Sequence, residues 1–250
     1  MIKSLDRGLQ ILGIIAENES TSVTELAELL DVNKSTVSRL IDTLMQHDMI
    51  QVEKQTGKYC LGFRILHLSE SLKRNLNVIA IAHPVLSQLC KKLNESVHLC
   101  AFNNNAVYVV DQVRSDKKYS LSATVGMIEP LHCSSVGKCI LAFKSPHKVM
   151  EMLEKNEFVK YTPNTITQAD KLMDELEVIR SQGYAIDNEE LAIGVRCIAV
   201  PIYNYQGYVR YSLGISGPCN NMTKELIDKY VKEMTGSANQ ISRSIGYRSK

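Results

Sequence analysis

The first 75 residues alternate short helical hydrophobic patterns with tight polar breaks. Apolar residues on one helical face predict a first helix over residues 5–16. They are Leu5, Leu9, Leu12, Ile15 and Ala16. Ser22 and Glu25 have the spacing of a capping box and predict the start of a short second helix. After the break at residues 31–33, Asn33 is the expected N-cap of a third helix.

The third predicted helix, residues 33–44, reads NKSTVSRLIDTL and has two distinct faces. The face expected to pack against a core carries Val37, Leu40, Ile41, Leu44 and Met45. At 100° per residue, the opposite face carries Ser35, Arg39, Asp42, Thr43 and Gln46. A face with an arginine among hydroxyl groups is suited to lie against another molecule.

A β-hairpin with basic residues follows. Residues 50–52 and 59–61 alternate apolar and polar side chains around a turn at 55–57, and we expect Lys54 and Lys58 at its tip. Three helices and a hairpin describe a winged helix-turn-helix, in which the second helix braces the third against DNA. A three-helix domain without DNA-binding function has the same helical pattern, but the hairpin and the outward face of the third helix favour DNA binding.

The segment 61–79 has apolar residues at the 4, 3, 4 spacing of a coiled-coil seam. They are Leu61, Ile65, Leu68 and Leu72, with Ile79 one heptad further on. The seam is too short to be stable alone, so it predicts a linker helix that assists dimerisation.

The rest of the chain alternates helix and strand patterns. Helices are predicted near 77–94, 134–144, 147–155, 168–182 and 223–244. Strands are predicted near 96–102, 106–113, 184–187, 196–203 and 208–215. Interleaved strands and helices indicate one compact α/β domain. The expected organisation is therefore a winged helix-turn-helix at 1–62, a linker helix at 63–76 and an α/β domain at 77–250.

Composition and charge reduce the number of functions that the protein could have. The 250 residues are 44% hydrophobic and 22% charged, without a signal-peptide pattern or a long apolar run, so we expect a cytoplasmic protein with no membrane partner. The net charge is only +2, and DNA binding must depend on where the charges lie. Seven dispersed cysteines without a C-x-x-C pair favour reduced, mostly buried thiols.

Six segments resemble the IclR family of bacterial transcription regulators. SLDRGLQIL (4–12), TELAELLDVNKSTVSRLIDTL (24–44) and YCLG (59–62) are similar to its amino-terminal domain. PLHCSSVGKCILA (130–142), IRSQGYAIDNEELAIGVRCIAVPI (179–202) and ISGP (215–218) are similar to its effector-binding domain. The resemblance implies an α+β chain with a GAF-like effector domain, assembly as a homodimer or a dimer of dimers, and control by a small organic acid.

On DNA, each candidate residue suits a particular contact. Lys34 and nearby hydroxyl groups lie at a helix start, where free amides also favour phosphate. Arg39 is expected to read a base, because its guanidinium can donate two hydrogen bonds to guanine O6 and N7. The carboxylate of Asp42 either accepts a hydrogen bond from cytosine or stays in solvent. The expected DNA-binding residues are Arg7, Lys34, Ser35, Thr36, Ser38, Arg39, Thr43, Lys54 and Lys58. The expected operator is a palindrome in double-stranded DNA.

For the effector, HCSSVGKC (132–139) places two serines before a helix, whose first amides suit a carboxylate. It is not a P-loop, since His132 and Cys139 replace required residues. The resemblance implies ligand contacts at Leu121, Glu129, Ser135, Val136, Asp187, Val195, Cys197, Gly214 and Ser216. Gly214 stands where relatives have serine. Asp187 opposite the amides suits a sugar acid, keto acid or hydroxy acid.

The predicted function is a DNA-binding regulator, a repressor, with no enzymatic activity and no cofactor. One alternative is a small-molecule sensor whose winged helix contacts proteins. Another is a Cys-dependent enzyme that uses Cys197, His132 and Asp187. A metal site is a third alternative, with ligands drawn from His98, Cys100, His132, Cys133 and Cys197. Buried structural Cys and His side chains are the plainer interpretation of both sets.

Overall fold

The computed structural model describes residues 2–75, 77–117, 123–154 and 157–248. The chain divides into two compact units, residues 1–76 and 77–250. The helices of the first unit are α1 (Lys3–Asn18), α2 (Val23–Leu29), α3 (Lys34–Gln46) and α4 (Phe63–Asn75). Its strands β1 (Ile50–Val52) and β2 (Tyr59–Leu61) pair as an antiparallel hairpin.

Side-chain caps start the two central helices of the first unit, as the sequence predicted. Ser22 and Glu25 form a complete capping box at α2. The side chain of Asn33 accepts a hydrogen bond from the Thr36 amide at 2.8 Å at the start of α3. These caps satisfy amides that have no partner within their helix. The buried core consists of Ile11, Ile15, Leu26, Ala27, Val37, Ile41 and Ile50.

The buried face of α1 differs from the predicted one. Leu5 and Leu9 are 60% and 61% exposed, whereas Ile11 and Ile15 are fully buried. On α3, Met45 was expected in the core and is 38% exposed. Both helices carry apolar residues over more than one stripe, and hydrophobic spacing cannot tell which stripe the neighbouring helices cover.

The predicted coiled-coil seam over 61–79 is not one helical face. Leu61 belongs to β2 and packs against the core of the first unit. Ile79 belongs to the first helix of the second unit and packs against that unit's core. Between them, Leu68 on α4 is exposed, and the side chain of Leu72 lies outside the described residues.

The second unit contains the predicted elements, with ends that differ by a few residues. Its helices are α5 (Asn77–Leu93), α6 (Ser135–Ala142), α7 (Pro146–Leu153), α8 (Ala169–Gln182) and α9 (Lys224–Ser244), with a 3-10 turn at Cys219–Asn221. Its strands are β3 (Ser96–Asn103), β4 (Ala106–Val113), β5 (Ile128–Glu129), β6 (Ala185–Asn188), β7 (Val195–Tyr203) and β8 (Val209–Pro218). The two-residue β5 was not predicted, because two residues carry no alternation.

Within the described residues, six strands form one antiparallel sheet in the order β5-β4-β3-β8-β7-β6. Alternate side chains point to opposite faces of a sheet, so this one separates two cores. Helices α5 and α9 cover the face that carries Ile198 and Ile215. Helices α6, α7 and α8 cover the other face, which carries Ala185 and Ala199. The predicted α/β domain is confirmed, and its sheet is antiparallel and lies between two layers of helices.

Candidate functional site

The outward face of α3 carries most of the predicted DNA contacts. Lys34, Ser35, Arg39 and Thr43 are exposed, while Thr36 and Ser38 are half-buried. Asp42 is exposed on the same helix. The capped start of α3 therefore presents a cation and hydroxyl groups, followed one turn later by the Arg39 guanidinium.

The hydroxyl groups of this face are already ordered by the helix. Ser35 Oγ donates to Asn33 Oδ1, Ser38 Oγ donates to the Lys34 carbonyl and Thr43 Oγ1 donates to the Arg39 carbonyl, each at 2.9 Å. With its hydrogen committed, each oxygen offers lone pairs outward as an acceptor. A hydroxyl must rotate away from its helix partner before it can donate to a phosphate.

The two lysines of the hairpin have different surroundings. Lys54 is exposed in the loop, as predicted for the tip. Lys58 instead lies next to β2, where its Nζ is 3.1 Å from Glu25 Oε1 on α2. The Ser22 amide, and then Lys58, lower the pKa of Glu25 to about 2. Arg7, the remaining candidate, is half-buried on α1.

In the second unit, three predicted effector residues form a row across the sheet. Asp187 on β6 lies opposite Cys197 on β7, which lies opposite Ser216 on β8. Cys197 Sγ donates to Ser216 Oγ at 3.3 Å. Asp187 Oδ1 accepts from the Glu190 amide at 2.7 Å. The row is therefore a buried or half-buried polar strip in a core that is otherwise mostly apolar.

Val195 and Gly214 lie on the same sheet face as this row. Val195 is two residues from Cys197, and Gly214 is two residues from Ser216, and residues two apart in a strand share a face. Helix α6 packs on strands β6, β7 and β8 at this face. Five of the predicted effector residues thus face the same helix.

Helix α6 begins in a tight turn that supports the predicted amide site. Ser134 is its N-cap, with Oγ accepting from the Gly137 amide at 3.0 Å and donating to the Pro130 carbonyl at 2.7 Å. A Cβ on Gly137 would lie 2.5 Å from that carbonyl oxygen, so only glycine fits this close approach. The amides of Ser135 and Val136 lie in the first turn, where a helix offers no internal acceptor.

The two predicted acidic residues come from opposite edges of the sheet. Glu129 lies on β5 and Asp187 on β6. At about 4.8 Å per strand, a flat sheet would separate these edges by roughly 24 Å. Burial raises the pKa of both carboxyls, and the charge of Asp187 raises that of Glu129 further. The two carboxyls are therefore nearer to each other than in a flat sheet, as a curled sheet requires.

A buried ion pair that was not predicted from the sequence lies beside this region. Lys138 on α6 is fully buried, and its Nζ lies 2.5 Å from Glu190 Oε1 and 3.3 Å from Glu175 Oε1. Burial raises the pKa of Glu190, and Lys138 opposes that shift. Lys138 was considered only as part of HCSSVGKC, when a phosphate loop was excluded. A lysine at a helix position surrounded by apolar residues was the available signal.

The catalytic and metal alternatives find no support in the geometry. Burial, more than any other cause, raises the pKa of the Cys197 thiol far above its ordinary value, so the thiolate nucleophile is disfavoured. The ring of His132 instead bonds to the Val159 carbonyl at 3.0 Å and packs on Phe158. In the part of the chain that the structure describes, no three His, Cys, Asp or Glu side chains are grouped to hold a metal.

Leu121, a predicted ligand contact, lies outside the described residues. Among the helices of the described ranges, none is both long enough and apolar enough to cross a bilayer.

The first unit, with its capped α2 and α3 and its hairpin, defines a winged helix-turn-helix DNA-binding protein. The family model described as IclR helix-turn-helix domain matches residues 4–54. The model described as Bacterial transcriptional regulator IclR C-terminal matches residues 71–243. The chain belongs to the IclR family of bacterial transcriptional regulators. It is a DNA-binding regulator and not an enzyme.

Similar proteins cover nearly the whole chain. The acetate operon repressor of Salmonella typhimurium is 31% identical over 248 residues, which are 98% of this chain and 90% of that protein. The crystal structure of the Thermotoga maritima IclR is 32% identical, with a TM-score of 0.81 over 99% of this chain and 100% of that one. An IclR homologue from Microbacterium hydrocarbonoxydans, complexed with 4-hydroxybenzoate, has a TM-score of 0.84 over 97% and 98% of the two chains. It is 22% identical, so that likeness is one of fold.

Proposed function

We propose that the chain is a repressor whose operator affinity is controlled by a small organic acid bound in its second unit. The observation that carries the effector part is the polar row of Asp187, Cys197 and Ser216 beneath α6. Buried polar groups cost free energy unless they are paired, so cores keep them where they have a use. Recognition of a polar ligand is such a use.

In the proposed DNA complex, α3 lies in the major groove with Arg39 directed at a guanine. Lys34, Ser35, Thr36 and Ser38 are at or near the start of α3 and are assigned to phosphates, and Thr43 supports Arg39 one turn later. Lys54 on the wing and Arg7 are assigned to the DNA backbone, and Lys58, which is paired with Glu25, is assigned a minor part there. The exposure of Lys34, Arg39 and Lys54 supports these roles.

In the proposed effector complex, the acid directs its carboxylate at the amides of Ser135 and Val136. The positive end of the α6 dipole favours an anion there. Hydroxyl or keto groups at the other end then face Asp187 and Ser216. The remaining assigned residues are Leu121, Glu129, Val195, Cys197 and Gly214. The ligand of the Microbacterium homologue, 4-hydroxybenzoate, likewise carries a carboxylate and a hydroxyl at opposite ends.

We further propose that the protein acts as a homodimer, or as a dimer of dimers, on a palindromic operator. Large apolar side chains exposed on the first unit support this, since a second copy would cover them. They include Leu5, Leu9, Leu29, Phe63, Leu66 and Leu68. The proposed domain roles are DNA binding for 1–62, a linker helix for 63–76 and effector binding for 77–250. Paired α3 helices would then meet half-sites about one helical turn, or a multiple of it, apart.

Control by the acid requires that it bind one dimer geometry more tightly than another. The coupling between the acid and DNA is then reciprocal, so each changes the affinity for the other by the same factor. Typical coupling of this kind changes affinity by about 5- to 150-fold.

The test is a mobility-shift titration of the full-length protein on the DNA upstream of its own gene. It is run over a range of salt concentrations, with and without pyruvate, D-glycerate, D-gluconate or 4-hydroxybenzoate. We expect the logarithm of affinity to fall linearly with the logarithm of salt concentration, and one acid to change it at least fivefold. Calorimetry with the same acids checks binding directly. Unchanged DNA affinity and no heat for every acid would overturn control by organic acids.

A further inference from the structure

His98 and Gly214 are neighbours at the centre of the sheet, on the face that α6 covers. His98 on β3 lies directly opposite Gly214 on β8, and only 4% of His98 is exposed. A Cβ built on Gly214 overlaps the imidazole ring of His98. The ring therefore occupies the space in which any larger residue at position 214 would put its side chain.

The imidazole ring of His98 does not make all the hydrogen bonds that it can make. Its Nδ1 is buried and has no hydrogen-bond partner among the described residues, and the same is true of Ser212 Oγ. Ser212 is two residues before Gly214 on β8, so both side chains lie on the α6 face of adjacent strands. A buried polar atom without a partner is costly, and such atoms in native proteins are few. A polar ligand at this face of the sheet would give both atoms a hydrogen-bond partner.

His98 and Ser212 lie on the same sheet face as the proposed effector row of Asp187, Cys197 and Ser216. Ser216 is two residues after Gly214 on β8, about 7 Å along the strand, and Cys197 lies opposite Ser216. The ring of His98, which extends over Gly214, thus lies next to the residues assigned to the ligand. From the sequence, His98 was a candidate only as a metal ligand.

The charge state of His98 defines what it can bind. Burial lowers the pKa of His98 from 6.5 to about 4, so the ring is neutral at neutral pH. A neutral imidazole has one donor and one acceptor nitrogen and carries no charge to attract a carboxylate. It suits a hydroxyl or keto oxygen, which needs one directional hydrogen bond.

We propose that His98 is a specificity-determining residue of the effector site, lodged in the space above Gly214, and that its imidazole hydrogen-bonds to a hydroxyl or keto oxygen of the organic acid. This inference rests on the proposed effector function. The α6 amides hold the carboxylate in that function, and His98 reads the substituent beyond it.

The first test compares acids that differ in that oxygen. Full-length protein is titrated by calorimetry with pyruvate, D-glycerate and D-gluconate, and with propionate and hexanoate, which lack hydroxyl and keto groups. We expect wild-type protein to prefer one of the oxygenated acids by at least about tenfold, the value of one good hydrogen bond. We expect His98→Ala to bind it and its plain counterpart within about threefold. His147→Ala, at an exposed position on α7, is the matched control and keeps the wild-type preference.

The outcomes separate the two proposals. If wild-type protein binds none of the three oxygenated acids, this inference fails, and the proposed effector function fails as well if 4-hydroxybenzoate is not bound either. If it binds one of them and His98→Ala keeps the same preference over the plain acid, the function stands and the role of His98 is wrong.

A second measurement needs no variant, in case His98→Ala does not fold. Imidazole nitrogen NMR signals of wild-type protein are recorded with and without the acid that binds. We expect the His98 signals to shift with that acid and not with its plain counterpart, while those of His147 stay unchanged. His98 signals that do not respond to the bound acid would overturn the inference.

Discussion

The ammonium group of Lys58 lies 3.1 Å from the carboxylate of Glu25, so the wing is joined to the brace helix α2 by an ion pair. The pair neutralises one of the two basic residues that the wing offers to DNA. Lys54 remains exposed in the loop. Contributions of the two lysines to DNA affinity should therefore differ.

For Lys54→Ala, we expect weaker operator binding and a salt slope about 0.9 smaller, since one phosphate contact releases about that many counterions. For Lys58→Ala, we expect little change in slope, because its charge is already balanced by Glu25. Mobility shifts over a salt series measure both, with Lys229→Ala on the exposed side of α9 as control. Equal slopes for the two wing variants would show that the ion pair opens on DNA.

Arg39 is predicted to read a base. Arg39→Ala should weaken operator binding by about 1–3 kcal/mol and relax the preference at one base position. Arg39→Lys keeps the charge but loses the bidentate fork, so it should recover phosphate attraction and not the base preference. Binding to a set of single-base operator variants distinguishes the two effects. A wild-type preference in Arg39→Ala would exclude Arg39 from base reading.

The buried histidine predicts a pH-dependent stability. The unfolded chain takes up a proton near the ordinary pKa of 6.5, whereas folded His98 resists it until about 4. The free energy of unfolding should thus fall as pH decreases from 6.5 to 4, by about 3 kcal/mol from this group. Urea unfolding of wild type and His98→Asn across this range measures the difference, in which the other titrating groups cancel. Parallel pH profiles for the two proteins would contradict it.

Lys138 is predicted to stabilise the second unit because its removal strands a buried carboxylate. Lys138→Met should lower the free energy of unfolding by about 3–5 kcal/mol, since Glu190 is then buried without its partner. Lys138→Met with Glu190→Gln should recover most of that loss. Circular dichroism during urea unfolding measures both proteins. If the double variant were no more stable than the single one, the loss would come from packing and not from charge.

Two helical glycines, Gly137 in α6 and Gly236 in α9, differ in the space available for an added Cβ. Gly137→Ala should destabilise the protein by about 1–3 kcal/mol, because its Cβ meets the Pro130 carbonyl at 2.5 Å. Gly236→Ala should stabilise it by about 0.5–1 kcal/mol, since the position is in α9 with nothing within 4 Å of the added Cβ. Thermal unfolding midpoints should therefore move in opposite directions. A shift of the same sign would mean that the α6 start relaxes around an alanine.

Local signals made much of the fold predictable from the sequence. The Ser22–Glu25 capping box and the Asn33 cap depend on neighbouring residues alone, and both were predicted. The faces of α1 and α3 were partly wrong because burial of Leu9 or Met45 depends on which helices pack nearby. Lys58 and Glu25 are 33 positions apart in the sequence, and no local sequence pattern predicts their ion pair.

In the proposed effector region too, features set by neighbouring residues were predictable, and contacts between distant residues were not. The helix start at Ser134 followed from two serines that precede a helical pattern. The ion pair between Lys138 and Glu190, 52 residues apart, depends on how β6 and its following loop pack on α6. The contact of His98 with Gly214 depends on strand register between β3 and β8, which the sequence does not specify.

Strand alternation has an evolutionary consequence. Cys197 and Ser216 face α6, while the adjacent Ile198 and Ile215 face α5 and α9 across the same two strands. A substitution at one of the first pair leaves the packing of the second pair intact. Under the proposed function, a few point mutations on the α6 face can therefore change which effector is bound, because the far side of the sheet continues to hold the fold.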